Sequence, residues 1–221
     1  MIGKYTHNNK VLSAEERENF INLSEQTIDE FYESAEGIYA IYKGGEWQGS
    51  KNHNVIFESI VKTNIFISYT YADCVTLLKL FLKENRFYEK SCLRGKLKVL
   101  LNEGFKNIYG FSKHKYHKTY CYKIEQILSQ DFRPPVYIDE FKAIKSELKL
   151  LSESHNWWKD VRDNEVHLDT DKLYESRHEP INESQVTIQT LNLLDILNRI
   201  NNFVLAFNQA YINYMAQNIK Q

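Results

Sequence analysis

"LNLLDILNRINNFVLAFNQAYINYM", residues 191–215, decides the fold. Its apolar positions Leu193, Ile196, Leu197, Ile200, Phe203, Val204, Phe207, Tyr211 and Met215 recur at steps of three and four. That spacing lines side chains along one face of an α-helix. The face is wide, which predicts a central, well-buried helix over about residues 184–217. The polar run "DTDKLYESRHEPINES" (169–184) before it reads as a loop.

Working outward, the same period recurs. Ile28, Phe31, Ala35, Ile38 and Tyr42 form one helical face, and Ser13 with Glu16 makes a capping box at its start. Gly37 lies inside this face, and a hairpin at "IYAIYKGGEW" is the alternative; the longer period favours the helix. "GGEWQGSKNHN" (44–54) is expected to be a loop. From Val55 to about Glu84, Phe57, Ile60, Val61, Ile65, Tyr69, Ala72, Leu77 and Phe81 fit a buried stripe. A shorter helix is expected over about 88–103, broken near Gly104 and Gly110. A further one, capped by Ser112, covers "KHKYHKTYCYKIEQILSQ". Consecutive prolines in "RPPVY" (133–137) impose a break, and helix restarts at about 136.

Composition agrees. Of 221 residues only 8 are Gly and 3 are Pro, too few turn formers for a sandwich or barrel. The expectation is an all-α, single-domain helical bundle of five to seven helices over 13–221, preceded by a loose polar segment 1–12. A net charge of −1 gives the chain as a whole no pull towards polyanions or membranes, so any basic surface must be local. Cys74, Cys92 and Cys121 are odd in number and form no CxxC, which reads as reduced thiols in a cytoplasmic protein. "MIGKYTHNNKVLS" lacks the apolar core of a signal peptide, and no run of about 18 apolar residues suggests a membrane span. No phosphate-binding glycine loop and no H-E-x-x-H occur, so neither a cofactor nor a metal is expected.

The chemistry-bearing stretch is "HNWWKDVRDNEVHLD", residues 155–169. Arg162 carries a permanent planar charge suited to a phosphate. His167 exchanges a proton near neutral pH. RNA brings its own nucleophile, the 2′-hydroxyl, so a base and a cation suffice to cleave it without a metal. One chain offers one such pair; a symmetric dimer would bring two together, enough for both an acid and a base.

"WWKDVRDNEVHLD" resembles the signature of the HEPN superfamily, in which an arginine and a polar residue precede a histidine after four to six intervening positions. Arg162, Asp163 and His167 match it, with the flavour of abortive-infection members. The resemblance implies an all-helical homodimer with the motifs facing each other across a cleft. It implies catalytic roles for Arg162 and His167 with help from Asp163, and metal-independent endoribonuclease activity in toxin–antitoxin or phage defence. Other members are non-catalytic modules that bind nucleotide, nucleic acid or a protein partner, and an antitoxin would be one such partner. Two positions depart from the common pattern: Asp163 where asparagine is commonest, and Val166 where alanine often precedes the histidine. An acid at 163 could orient Arg162 or repel substrate.

Secondary candidates follow. Lys113, Lys115, Lys118 and Lys123 interleave with Tyr116, Tyr120 and Tyr122, the ingredients of an RNA-binding surface, or of a solvated helix face. Of Trp157 and Trp158, one is expected in the core or an interface and the other partly exposed; Trp158 is taken as the one that stacks on RNA bases. His114 and His117 lack a clear third metal ligand. Asp73 faces solvent or pairs with Arg162, solvent being favoured, and Glu58 reads as a surface residue.

Overall fold

The computed structural model describes residues 13–44, 51–111, 113–128, 135–154, 157–158, 174 and 177–218. Among them there are six α-helices and no strand: α1 (Ala14–Gly44), α2 (Lys51–Lys83), α3 (Phe87–Ile108), α4 (Tyr120–Leu128), α5 (Pro135–Glu153) and α6 (Glu183–Asn218). A 3-10 helix, Lys113–Lys118, precedes α4. The all-α bundle is the architecture the periodicity predicts.

Helix ends obey local chemistry. Ser13 and Glu16 form the reciprocal capping box: the Glu16 N–H donates to Ser13 Oγ (3.1 Å) and the Ser13 N–H to Glu16 Oε2 (2.8 Å). Asn182 caps α6 by accepting from the Gln185 N–H (3.0 Å). Pro135 opens α5, where a missing N–H costs nothing. At the end of α3 the N–H groups of Tyr109 (2.8 Å) and Gly110 (3.1 Å) both donate to the Phe105 carbonyl. Gly110 then turns the chain out at φ 82°, a left-handed conformation that favours glycine.

Four expectations are corrected. Lys51 to Asn54, expected in a loop, already belong to α2; they contain no glycine or proline to stop it. Gly104 does not break α3. A Cβ there would sit 2.9 Å from Thr70 Cγ2, so glycine permits a close helix approach. The single helix expected over 113–130 is divided: Thr119 ends the 3-10 turn and caps α4 by accepting from the Tyr122 N–H (3.3 Å). Ser112, its expected cap, lies outside the described residues. On α2, Tyr69 is exposed and Ile65 and Leu77 are half-buried, whereas Ile67, Tyr71, Val75 and Leu78 are buried. A one-face stripe understates a helix packed on several sides.

By length and composition Glu58–Lys83 would also suffice to cross a membrane, yet 56% of that apolar window is buried inside the protein. Thr63, Asn64, Ser68 and Thr70 are among its buried residues. Such a buried polar set is the mark of a core helix rather than a lipid-facing one.

The chain divides into two compact units. The described parts of 1–31, 70–104 and 155–195 form the first; those of 32–69, 105–154 and 196–221 form the second. In the first, Phe31 stacks on Tyr71 (4.0 Å), and Phe81, Leu97, Leu101 and Trp158 are fully buried. Burial and the nearby Asp195 carboxylate push the Tyr71 hydroxyl up to about 12. In the second, the aromatic face of α6 continues as an array: Phe141 against Phe203 (5.7 Å), Phe203 against Phe207 (6.1 Å), and Phe207 against Tyr211 (6.3 Å). Polar contacts also cross this core: Asn201 Oδ1 accepts from Asn64 Nδ2 (2.7 Å) and from Ser68 Oγ (3.5 Å). Except for Met215, whose side chain lies outside the described residues, every predicted position of the α6 face is buried.

Candidate functional site

Arg162, Asp163 and His167 lie outside the described residues. Both ends of the segment that carries them are described, and both are tied to α3. Upstream, Trp158 is fully buried at 0% exposure, and its carbonyl accepts from Asn102 Nδ2 of α3 (3.1 Å). The Trp157 N–H donates to Gln189 Oε1 of α6 (2.8 Å). Downstream, Arg177 and Ser91 of α3 exchange two hydrogen bonds, from Arg177 Nη1 to the Ser91 carbonyl (2.9 Å) and from Ser91 Oγ to the Arg177 carbonyl (3.2 Å).

A charged cluster extends this downstream tie. Lys90 on α3 is buried; its ammonium donates to Glu183 Oε1 (2.5 Å) and sits 5.1 Å from the centre of the Phe81 ring. Arg17 on α1 reaches the other Glu183 oxygen at 3.6 Å. Arg94, also buried, lies 3.5 Å from the carbonyls of both Glu179 and Pro180. Buried cations need such partners, because an unpaired one would cost several kcal/mol, on the order of 3–5. At about 1.5 Å of rise per residue, Ser91 and Asn102 stand roughly 16 Å apart along α3. Trp158 and Arg177 are each attached to α3. In sequence, the motif lies between these two attached residues.

The sequence reading missed these tethers. The available signal was Asn102, a side-chain amide set among the core positions Leu101 and Phe105 of an amphipathic helix, where a polar group must find a partner.

The RNA-contact candidates fare unequally. Trp158 offers no ring face to a base, because it fills the core; Trp157 is the half-exposed member of the pair. Tyr116 is half-buried and already engaged: its hydroxyl donates to Glu125 Oε2 (2.9 Å), and Lys145 Nζ lies 4.8 Å from its ring centre. Lys118 is exposed, while the side chains of Lys113 and Lys115 lie outside the described residues. Lys123 sits over the Tyr120 ring at 4.7 Å.

His117 is exposed, the His114 side chain lies outside the described residues, and no metal-sized group of His, Cys, Asp or Glu exists among the described residues. Asp73 is half-buried, and its charge adds to the burial that raises the Cys74 thiol. Glu58 pairs with Lys62 on the surface. Cys74 and Cys121 are buried free thiols; Cys92 is half-buried, not a core residue.

Compared with protein-family models, with curated proteins and with solved structures, the chain matches none.

Proposed function

We propose that the protein is a metal-independent endoribonuclease acting as a homodimer, of the kind used as a toxin or phage-defence effector. The observation that carries the reading is the "RDNEVH" constellation, Arg162, Asp163 and His167, set in an all-α chain. It is supported by the flanks of that constellation, which are tied to α3 by a buried hydrogen bond at Trp158 and a part-buried one at Arg177. A reactive segment held at both ends loses less conformational entropy on binding its substrate.

The chemistry balances without a metal. His167 takes the proton of a 2′-hydroxyl, and the freed oxygen attacks the adjacent phosphorus. Arg162 stabilises the negative charge of the phosphorane. The P–O5′ bond breaks, leaving a 2′,3′-cyclic phosphate and a 5′-hydroxyl whose proton comes from an acid. In a homodimer the second copy of the pair supplies that acid. Asp163 orients Arg162 or His167.

Controlled expression in a bacterial host tests the biological part of this reading. Wild type is expected to arrest growth and fragment host RNA, and Arg162→Ala and His167→Ala to do neither at equal protein levels. Arrest by all three alike would refute it. A folded wild type that leaves both growth and RNA untouched would favour the non-catalytic binding module instead.

A further inference from the structure

Rings from two distant stretches of the first unit meet in an aromatic ledge. Phe87 and Tyr88 open α3, and Tyr174 and His178 follow the Arg162–His167 stretch in sequence. Tyr174 stacks on His178, with ring centres 4.0 Å apart and planes 26° from parallel. Tyr88 meets His178 edge-on (5.8 Å, 75°), and Phe87 meets Tyr88 in the same way (5.5 Å, 78°).

The ledge is set before any ligand arrives. His178 Nδ1 lies 2.8 Å from the Tyr174 carbonyl. A carbonyl can only accept, so Nδ1 carries the proton and Nε2 is the acceptor of the neutral ring. Arg177, next to His178 in the chain, is tied to α3 by its two hydrogen bonds with Ser91. Yet the rings stay in water: Tyr88 and Tyr174 are each 64% exposed, Phe87 is 43% exposed, and His178 is exposed. Clustered rings left open in this way mark an interaction site rather than a core.

The surrounding charges narrow what fits. Arg86, beside Phe87, is exposed but shared between Glu84 (3.3 Å) and Glu89 (3.0 Å). One cation between two carboxylates exerts no net pull on a phosphate, so the partner is held by its rings and not by its charge. The Tyr174–His178 stack is extended by one more planar ring, and every nucleobase has such a face. A duplex keeps its base faces in its own stack, so the strand must be unpaired. Tyr174 and His178 also belong to the part of the chain that follows the proposed RNA-cleaving motif, which favours RNA over a peptide.

We propose that this ledge binds single-stranded RNA, with one base stacked on Tyr174 and a neighbouring base on Tyr88, and so selects unpaired substrate. The choice of RNA as occupant rests on the nuclease reading.

Fluorescence anisotropy of the full-length His167→Ala protein in EDTA tests it, with labelled heptaadenylate, an abasic ribose-phosphate strand of the same length, and an oligoproline as probes. Saturable heptaadenylate binding is expected, weakened about tenfold by Tyr174→Ala and by Tyr88→Ala through lost stacking. Tyr174→Phe, which keeps the ring, should restore it. The abasic strand carries the same phosphates and should bind at least about tenfold more weakly. These variants alter only exposed side chains, and thermal melting checks that they stay folded. Equal binding of the two strands, or binding indifferent to both tyrosines, would overturn the proposal, as would oligoproline bound through the tyrosines in place of RNA. The two readings fail separately. Cleavage of subsaturating RNA that is as fast with Tyr174→Ala and Tyr88→Ala as with wild type would refute the ledge and keep the nuclease. Tyrosine-dependent binding by a protein whose wild type cuts no RNA would keep the ledge and refute the nuclease.

Discussion

Two glycines in helix interiors have opposite meanings. Gly37 in α1 has nothing within 4 Å of an added Cβ, so Gly37→Ala should stabilise the protein by about 0.5–1 kcal/mol through helix propensity and a less free unfolded chain. Gly104 faces the β-branched Thr70 methyl at 2.9 Å, so Gly104→Ala should destabilise by about 1–3 kcal/mol. Thr70→Ser, which deletes that methyl, should recover part of the loss in the double variant. Urea unfolding reads all of these. Equal effects at the two glycines would refute the close packing at Gly104. The sequence could not tell these residues apart, because the difference lies in what the opposite helix presents.

Cysteines show the same residue-scale logic. Burial pushes the Cys121 thiol from 9.0 up to about 12 and raises Cys74 as well. The folded state therefore favours the protonated thiol. That contribution is fully present below about pH 9, where the unfolded thiol is also neutral, and is lost as pH rises through about 12. Urea midpoints should fall between pH 8 and pH 11. An unchanged midpoint would contradict the assigned burial. At neutral pH a thiol reagent should label Cys92 first, with Cys74 and Cys121 reacting only on unfolding.

At the scale of elements, local chemistry was legible where it was self-contained. Ser13 and Glu16 announced the start of α1, the double proline bounded α5, and nine apolar positions announced α6. What the sequence hid were junctions and ties set by tertiary partners: the break at Thr119 within one continuous amphipathic run, and the attachment of 157–158 and 177–183 to α3. The candidate site was legible as a motif while the ties of its flanks were not, since Asn102, Gln189, Ser91 and Arg94 bond to residues distant in sequence. Asn102→Ala tests the tie. It removes the Asn102 donor from the buried Trp158 carbonyl, a cost of about 1–3 kcal/mol. Limited proteolysis should then cut faster between Ser154 and Arg177, and RNA cleavage should fall while the helical circular dichroism persists. Unchanged protection of that segment would show that the hydrogen bond does not hold it.

At the scale of the whole molecule, an all-α fold and a net charge of −1 frame the proposed reaction. An all-α chain with a near-neutral charge has no bulk attraction for RNA, so the proposed nuclease would have to recognise its substrate locally. Under the proposed function, the reaction would fall to two copies of Arg162 and His167 brought together by dimerisation. Cleavage of RNA in EDTA by purified wild type, Arg162→Ala and His167→Ala, with analysis of the product ends, tests this claim most directly. The account predicts 2′,3′-cyclic phosphate and 5′-hydroxyl ends from wild type, and a loss of at least about a hundredfold in each variant. Equal cleavage by all three proteins, or none by a folded wild-type dimer across several RNAs, would contradict it.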